Sequence, residues 1–207
     1  IMPSSHIRIS CVSAAGKHVL AVSTDGHIFS WGEGKNGTLG HGNRRDVNIP
    51  MGIKYLEPHF IANCSTGVQH SACVTLDGSV FLWGFGLYVF FFSFLYQHTR
   101  QRTNAYYNRY GQLGTSERKD SLLPRMCKFL SPQKTAETAS LELVETRCVT
   151  VACGRAHTLV IYGNGDVYSI GRGTYGELGH GDQEDCLIPK LIQELSSYRI
   201  RAVAAAG

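Results

Sequence analysis

The chain has 207 residues, a formal net charge of +4 and 43% hydrophobic residues, values typical of a globular protein. Its 23 glycines suit a chain with many turns, and its six prolines are too few for a proline-rich disordered linker. Lysine and arginine are scattered apart from Arg44-Arg45 and Arg100–Arg102, so the charge neither requires nor excludes nucleic acid. The seven cysteines have no metal-ligand spacing, and we expect them to be reduced, which favours a cytoplasmic or nuclear location.

An internal repeat organises the sequence. Three segments share, in the same order, a histidine, an Asp-Gly or Asn-Gly pair, a Trp-Gly or Ile-Gly pair, a Gly-x-Leu-Gly and a proline. The three sets are His18, Asp25-Gly26, Trp31-Gly32, Gly37–Gly40 and Pro50; His70, Asp77-Gly78, Trp83-Gly84, Gly111–Gly114 and Pro124; and His157, Asn164-Gly165, Ile170-Gly171, Gly176–Gly179 and Pro189. Because the offsets from the histidine to both of the dipeptides are identical in all three, the segments are copies of one structural unit.

Short strands and tight turns make up each unit. Ser71–Thr75 is short, apolar and β-forming, runs into the Asp-Gly pair, and is followed by the return strand Ser79–Trp83. Asp or Asn before Gly tolerates the positive φ angles of a two-residue hairpin turn, so we expect that turn type here. Ile49-Pro50 and Ile188-Pro189 are expected to start an outer strand, where a missing backbone donor is tolerated.

The repeat period favours a β-propeller. His18 and His70 are 52 residues apart, which fits a four-stranded blade better than a pair of helices. We place repeat 1 at about 10–62, repeat 2 at about 63–148, repeat 3 at about 149–202 and the start of repeat 4 at about 203–207. Residues Ile9–Gly16 match Ile200–Gly207 at Ile, Val, Ala and Gly in register, so we expect the chain to be an excerpt of a longer protein.

Two insertions interrupt the second repeat, at 86–107 and at about 131–144. The second is polar and is interpreted as a surface loop between blades. Removing 86–107 restores the spacing of the other repeats, and we interpret it as translated intron sequence. The alternative is a hydrophobic loop that contacts a partner or dips into a membrane, because Leu87–Tyr96 is apolar but too short to span a bilayer as a helix.

The repeat resembles the regulator of chromosome condensation repeats. That family's pattern of Gly-x-x-His, a turn glycine, Trp-Gly and Gly-Gln-Leu-Gly is met by Gly67–His70, Gly78, Trp83-Gly84 and Gly111–Gly114. The resemblance implies an all-β, seven-bladed propeller, of which this chain holds about three four-stranded blades. Segments such as Ser30–Glu33 are loosely similar to the propellers of large HECT-type ubiquitin ligases.

Several motifs could suggest chemistry but recur as parts of the repeat. Gly32–Gly37 and Gly171–Gly176 spell Gly-x-Gly-x-x-Gly, yet each is followed by Leu-Gly-His-Gly instead of a helix that would hold phosphates. His18, His70 and His157 occupy one repeat position, and we expect each to make a structural hydrogen bond within its own blade. We expect no catalytic residues, cofactor or metal site in this segment.

Function is therefore expected from the exposed loops. After each Gly-x-Leu-Gly a polar loop precedes the proline, and these loops differ in charge. The candidate partner contacts are Arg44, Arg45, Asp46, Arg118, Lys119, Asp120, Glu184 and Asp185. The resemblance implies a protein-interaction module of a larger protein such as a ubiquitin ligase, or alternatively a guanine nucleotide exchange factor for the GTPase Ran that binds chromatin. A third class that it implies is a stand-alone cytoskeletal or signalling scaffold. We expect a protein partner, a small GTPase or the ubiquitination machinery, with nucleic acid only in the chromatin-bound case and no membrane.

Overall fold

A computed structural model describes residues 7–85, 112–114, 120–128, 130 and 147–206. The described residues contain three antiparallel four-stranded sheets, each a simple meander. The first sheet comprises β1 (Ile9–Ala15), β2 (His18–Ser23), β3 (Ile28–Gly32) and β4 (Val47–Gly52). The second comprises β5 (Ile61–Thr66), β6 (His70–Thr75), β7 (Val80–Gly84) and β8 (Ser121–Met126), and the third β9 (Cys148–Cys153), β10 (His157–Tyr162), β11 (Val167–Gly171) and β12 (Cys186–Leu191). The expected repeated sheets are confirmed, and we call them blades 1, 2 and 3.

The hairpin turns lie where the Asp-Gly and Asn-Gly pairs predict them, but each turn has three residues instead of two. In blade 1 the Ser23 N–H donates to the His27 carbonyl (2.9 Å) and the Gly26 N–H donates to the Ser23 carbonyl (3.0 Å). Only the glycine of the pair needs a positive φ, which is 84° at Gly26. This is a type I turn closed by a glycine bulge, and it leaves the aspartate free to accept a hydrogen bond from the Ser23 hydroxyl.

The outer edge of each blade carries the proline of the repeat. Pro50, Pro124 and Pro189 are each the fourth residue of the last strand, so Ile49-Pro50 and Ile188-Pro189 lie in its middle and not at its start as expected. Each of these strands pairs on one side only, so the missing proline N–H leaves no carbonyl of a neighbouring strand without a donor. A short 3-10 helix follows the strand in blades 1 and 3, at Lys54–Leu56 and Gln193–Leu195.

The first strands β1, β5 and β9 lie side by side at the inner edge of the blades. A hydroxyl fixes each junction. Ser13 Oγ accepts a hydrogen bond from the Thr66 N–H (2.9 Å), and Ser65 Oγ accepts one from the Cys153 N–H (2.9 Å). The same bond thus joins blade 1 to blade 2 and blade 2 to blade 3.

Two of the hydrophobic clusters in the described part of the chain lie between blades. One buried cluster joins Leu20 and Ile28 of blade 1 to Phe81 and Trp83 of blade 2. A second cluster joins Leu82 and its neighbours in blade 2 to blade 3, where Ile170 is fully buried. Single blades therefore depend on their neighbours for stability, as in other repeat proteins.

The predicted equivalence of Trp31, Trp83 and Ile170 holds for their strand position but not for their burial. Trp83 and Ile170 are fully buried because they pack on the preceding blade, whereas Trp31 is half-buried. In blade 2 the side chain of Trp83 covers Gly40, where a Cβ atom would approach the indole to 2.9 Å. The last glycine of Gly-x-Leu-Gly thus leaves room for the bulky side chain of the next blade.

Candidate functional site

The candidate loops leave each blade between its third and fourth strands. In blade 1 the Asp46 carboxylate accepts a hydrogen bond from the Gly34 N–H (2.9 Å). In blade 3 Asp185 accepts the equivalent bond from the Gly173 N–H (3.1 Å). These two aspartates therefore hold the loop to the preceding turn, a structural role that the sequence interpretation did not assign to them.

A second side chain shapes the same loops. The Asn43 side-chain oxygen accepts a hydrogen bond from the Arg45 N–H (2.9 Å), and Asp182 accepts the same bond from the Glu184 N–H (3.1 Å). Such local side-chain bonds fix the backbone of a turn and leave its other side chains exposed to solvent. As a result, the side chains of Arg45 and Glu184 are presented to solvent at equivalent positions with opposite charge.

Arg44 connects two blades. Its guanidinium donates to a carboxylate oxygen of Asp120 in blade 2 (3.0 Å) and to the Lys35 carbonyl (3.2 Å). About half of the Arg44 side chain remains exposed, at 53%. Arg118 and Lys119 lie outside the described residues. Among the candidate contacts that the structure describes, Arg45 and Glu184 are exposed and their side chains form no hydrogen bond or ion pair with another described residue.

We predict that replacing Asp46 by alanine lowers the free energy of unfolding by about 1–3 kcal/mol, because the Gly34 N–H loses a charged acceptor. The matched control is Arg45→Ala in the same loop, which should change that free energy by less than about 0.5 kcal/mol. Urea denaturation followed by circular dichroism measures both. Equal stabilities for the two variants would show that the aspartate does not hold the loop.

The repeated histidines bond to the next blade, and the expectation of a bond within their own blade is wrong. His18 Nε2 lies 2.8 Å from Ser71 Oγ, and His70 Nε2 lies 2.9 Å from Thr158 Oγ1. The Ser71 hydroxyl donates its proton to the Thr38 carbonyl (2.8 Å), so the imidazole of His18 must be the donor to Ser71. Sequence reasoning missed these hydroxyl partners, although Ser71 and Thr158 each follow the repeat histidine directly.

Burial keeps these imidazoles neutral. Burial lowers the pKa of His18 to about 4. Burial also lowers the pKa of His70, to about 3, and the neighbouring imidazoles of His18 and His157 add to this effect. A neutral imidazole with its proton on Nε2 suits a structural donor. His70 Nδ1 is buried with no hydrogen-bond partner, so protonating it would bury a charge without an acceptor.

The histidines of the two Gly-His-Gly segments form hydrogen bonds inside their own blades. His41 Nε2 lies 3.0 Å from Ser30 Oγ, and His180 Nε2 lies 2.8 Å from Ser169 Oγ. Each serine donates to the carbonyl of the leucine in Gly-x-Leu-Gly, at 2.7 Å and 2.8 Å. Within the residues that the structure describes, no three His, Cys, Asp or Glu side chains cluster in a way that could hold a metal ion.

A groove of about 500 Å³ runs along the inner strands. Small and hydroxyl side chains line most of it, including Ser13, Ser65 and Thr150, with Arg155 as its charged residue. No helix in the described ranges could cross a membrane. The geometry is that of a scaffold whose charged side chains lie mainly in its loops.

Comparison with known sequences defines this scaffold. The profile of the "Regulator of chromosome condensation (RCC1) repeat" matches residues 25–74, 107–161 and 164–207, most of the chain. The chain belongs to the RCC1 repeat family. The matched ranges include His70, its partner Thr158 and the Gly-x-Leu-Gly segments of all three repeats.

Similar proteins are much longer than this chain. Human E3 ubiquitin-protein ligase HERC2 is 34% identical over 94% of the chain, which spans 3% of that ligase. The ultraviolet-B receptor UVR8 of Arabidopsis thaliana is 33% identical over 96% of the chain, which spans 37% of the receptor. The crystal structure of Prp20p from Saccharomyces cerevisiae, which was studied for binding to Gsp1p and histones, matches with a TM-score of 0.66 and 19% identity. That match covers 97% of this chain and 42% of Prp20p. The last comparison supports the RCC1 propeller fold.

Proposed function

We propose that these RCC1 repeats form a non-catalytic protein-interaction module of a larger regulatory protein, such as a ubiquitin ligase of the cytoplasm or nucleus. The observation that carries this proposal is a loop framework that recurs in two blades while the charge on it differs. Equivalent hydrogen bonds hold the loops of blades 1 and 3, while Arg45 and Glu184 give those loops opposite charges. A rigid frame that presents different charges at one edge is suited to selecting a protein partner.

The similarity to HERC2 and other HERC ligases supports the choice of a ligase context. The seven free cysteines support a reducing compartment. In this proposal, Arg44 and Asp120 set the relative position of two neighbouring loops, and Arg45 provides an attractive charge for an acidic surface. The loop aspartates Asp46 and Asp185 act through the shape of the loops and not by direct contact.

We predict that Arg45→Glu weakens binding of the protein partner about tenfold and reduces the dependence of the association rate on salt. The partner is first recovered by affinity purification with the full chain and then measured by surface plasmon resonance at two salt concentrations. A matched control is Lys54→Glu, which makes the same charge change on an exposed residue beyond the opposite end of β4. If both variants bind with wild-type affinity, the loops of this edge do not contact the partner.

A further inference from the structure

Two cysteines from neighbouring blades lie next to each other at the inner strands. The Sγ atoms of Cys11 on β1 and Cys64 on β5 are 3.8 Å apart. Formation of a disulfide requires them to approach to about 2.05 Å. The two residues are 53 positions apart in the sequence, so a bond between them would join blade 1 to blade 2.

The blade fold does not require cysteines at this place. The residues at the same repeat positions in the next interface are Asn63, seven residues before His70, and Val151, six residues before His157. That interface keeps the Ser65 bond to Cys153 that matches the Ser13 bond to Thr66. The cysteine pair is therefore an addition to one junction and not a constant element of the repeat.

The two thiols differ in a way that assigns them separate roles. Cys11 is half-buried, whereas Cys64 is buried. The hydrogen bond from the Cys64 thiol lowers the pKa of Cys11 to about 6, while burial opposes this effect. The same contact and burial raise the pKa of Cys64. Cys11 is therefore the thiol of the pair that ionises more readily.

We propose that Cys11 and Cys64 are a peroxide-sensitive dithiol whose disulfide locks blade 1 to blade 2. The Cys11 thiolate attacks one oxygen of hydrogen peroxide, the O–O bond breaks, and Cys11 becomes a sulfenic acid while hydroxide leaves as water after taking a proton. The Cys64 sulfur then attacks the Cys11 sulfur, and the S–S bond forms as the S–O bond breaks. The leaving hydroxide takes the Cys64 proton, so two thiols and one peroxide give one disulfide and two waters.

The experiment treats the reduced full chain with hydrogen peroxide at pH 6 and at pH 7 and maps its peptides without reduction. The expected product links the Cys11 and Cys64 peptides and is lighter by two hydrogen atoms. Its formation should raise the thermal unfolding midpoint, and dithiothreitol should reverse that rise. Cys186 is the internal control, because it is also half-buried and its thiol donates to the Ile188 carbonyl instead of to a cysteine. Cys11 should be consumed severalfold faster.

Two variants separate chemistry from folding. Cys11→Asn/Cys64→Val installs the pair that the neighbouring interface already has, so it should fold and lose the response to peroxide. Cys64→Ser keeps a hydroxyl donor beside Cys11 but cannot form the disulfide, so it should leave Cys11 as a sulfenic acid that dimedone traps. The proposal is overturned if the first disulfide joins Cys64 to its cross-strand neighbour Cys73. It is also overturned if Cys11 reacts no faster than Cys186.

Discussion

Replacing Trp83 by alanine is expected to lower the free energy of unfolding by about 3–5 kcal/mol. The side chain is fully buried between blades 1 and 2, and its Nε1–H donates to the Thr38 carbonyl (2.8 Å). Removing it leaves a cavity in the cluster that joins the two blades. Urea unfolding followed by far-ultraviolet circular dichroism measures the loss without relying on tryptophan fluorescence.

Two comparisons make this prediction specific. Trp31→Ala changes the same repeat position, but the loss should be smaller because Trp31 is half-buried. Trp83→Phe keeps most of the apolar contact and loses the hydrogen bond to Thr38, so its cost should lie between those of wild type and Trp83→Ala. An equal loss for Trp31→Ala and Trp83→Ala would show that packing on the preceding blade is not what stabilises this position.

Acid is expected to destabilise the blades between pH 6.5 and pH 4 through His18 and His70. Their pKa values in the folded protein are lowered to about 4 and about 3 from an ordinary value of 6.5. In this window the unfolded chain binds more protons than the folded chain, so stability is present above pH 6.5 and is lost as the pH falls. Between pH 7 and pH 5 each histidine should cost about 2 kcal/mol.

Urea titrations at several pH values measure this loss, and the variants His18→Gln and His70→Gln should each flatten the pH dependence. Glutamine keeps an N–H that can donate to Ser71 or Thr158 but cannot titrate. Comparing the variants with wild type at pH 7 first separates the loss of hydrogen-bond geometry from the loss of titration. The pKa of Asp77 is lowered as well, so its protonation affects stability below pH 4 and not between pH 6.5 and pH 4. A wild-type stability that is constant from pH 7 to pH 5 would contradict the prediction.

The regular offsets of the sequence were sufficient to predict the blades, because each landmark has a local cause. An Asp-Gly pair forms a turn wherever the flanking strands alternate, and a proline selects the outer strand through its missing N–H. The turn length was wrong for a local reason as well. A three-residue loop needs a positive φ only at Gly26, and the dipeptide alone does not distinguish this loop from a two-residue turn.

Contacts between blades were harder to predict, since they depend on the rotation from one blade to the next. The offset of His18 within its repeat could not reveal that its partner is Ser71, one repeat later. The exposure of a loop also does not show which of its side chains are engaged. Asp46 and Arg45 are adjacent polar residues, yet one holds the loop and the other extends into solvent.

The histidine junction has a consequence for how such proteins change in length. The second repeat contributes a donor to the junction on one side, His70, and a hydroxyl to the junction on the other side, Ser71. The first repeat contributes the donor His18 but has Val19 in place of that hydroxyl. A gene duplication that copies a repeat like the second as one whole period therefore supplies each new junction with one donor and one acceptor. Copying the first repeat in the same way would leave a buried imidazole facing a valine.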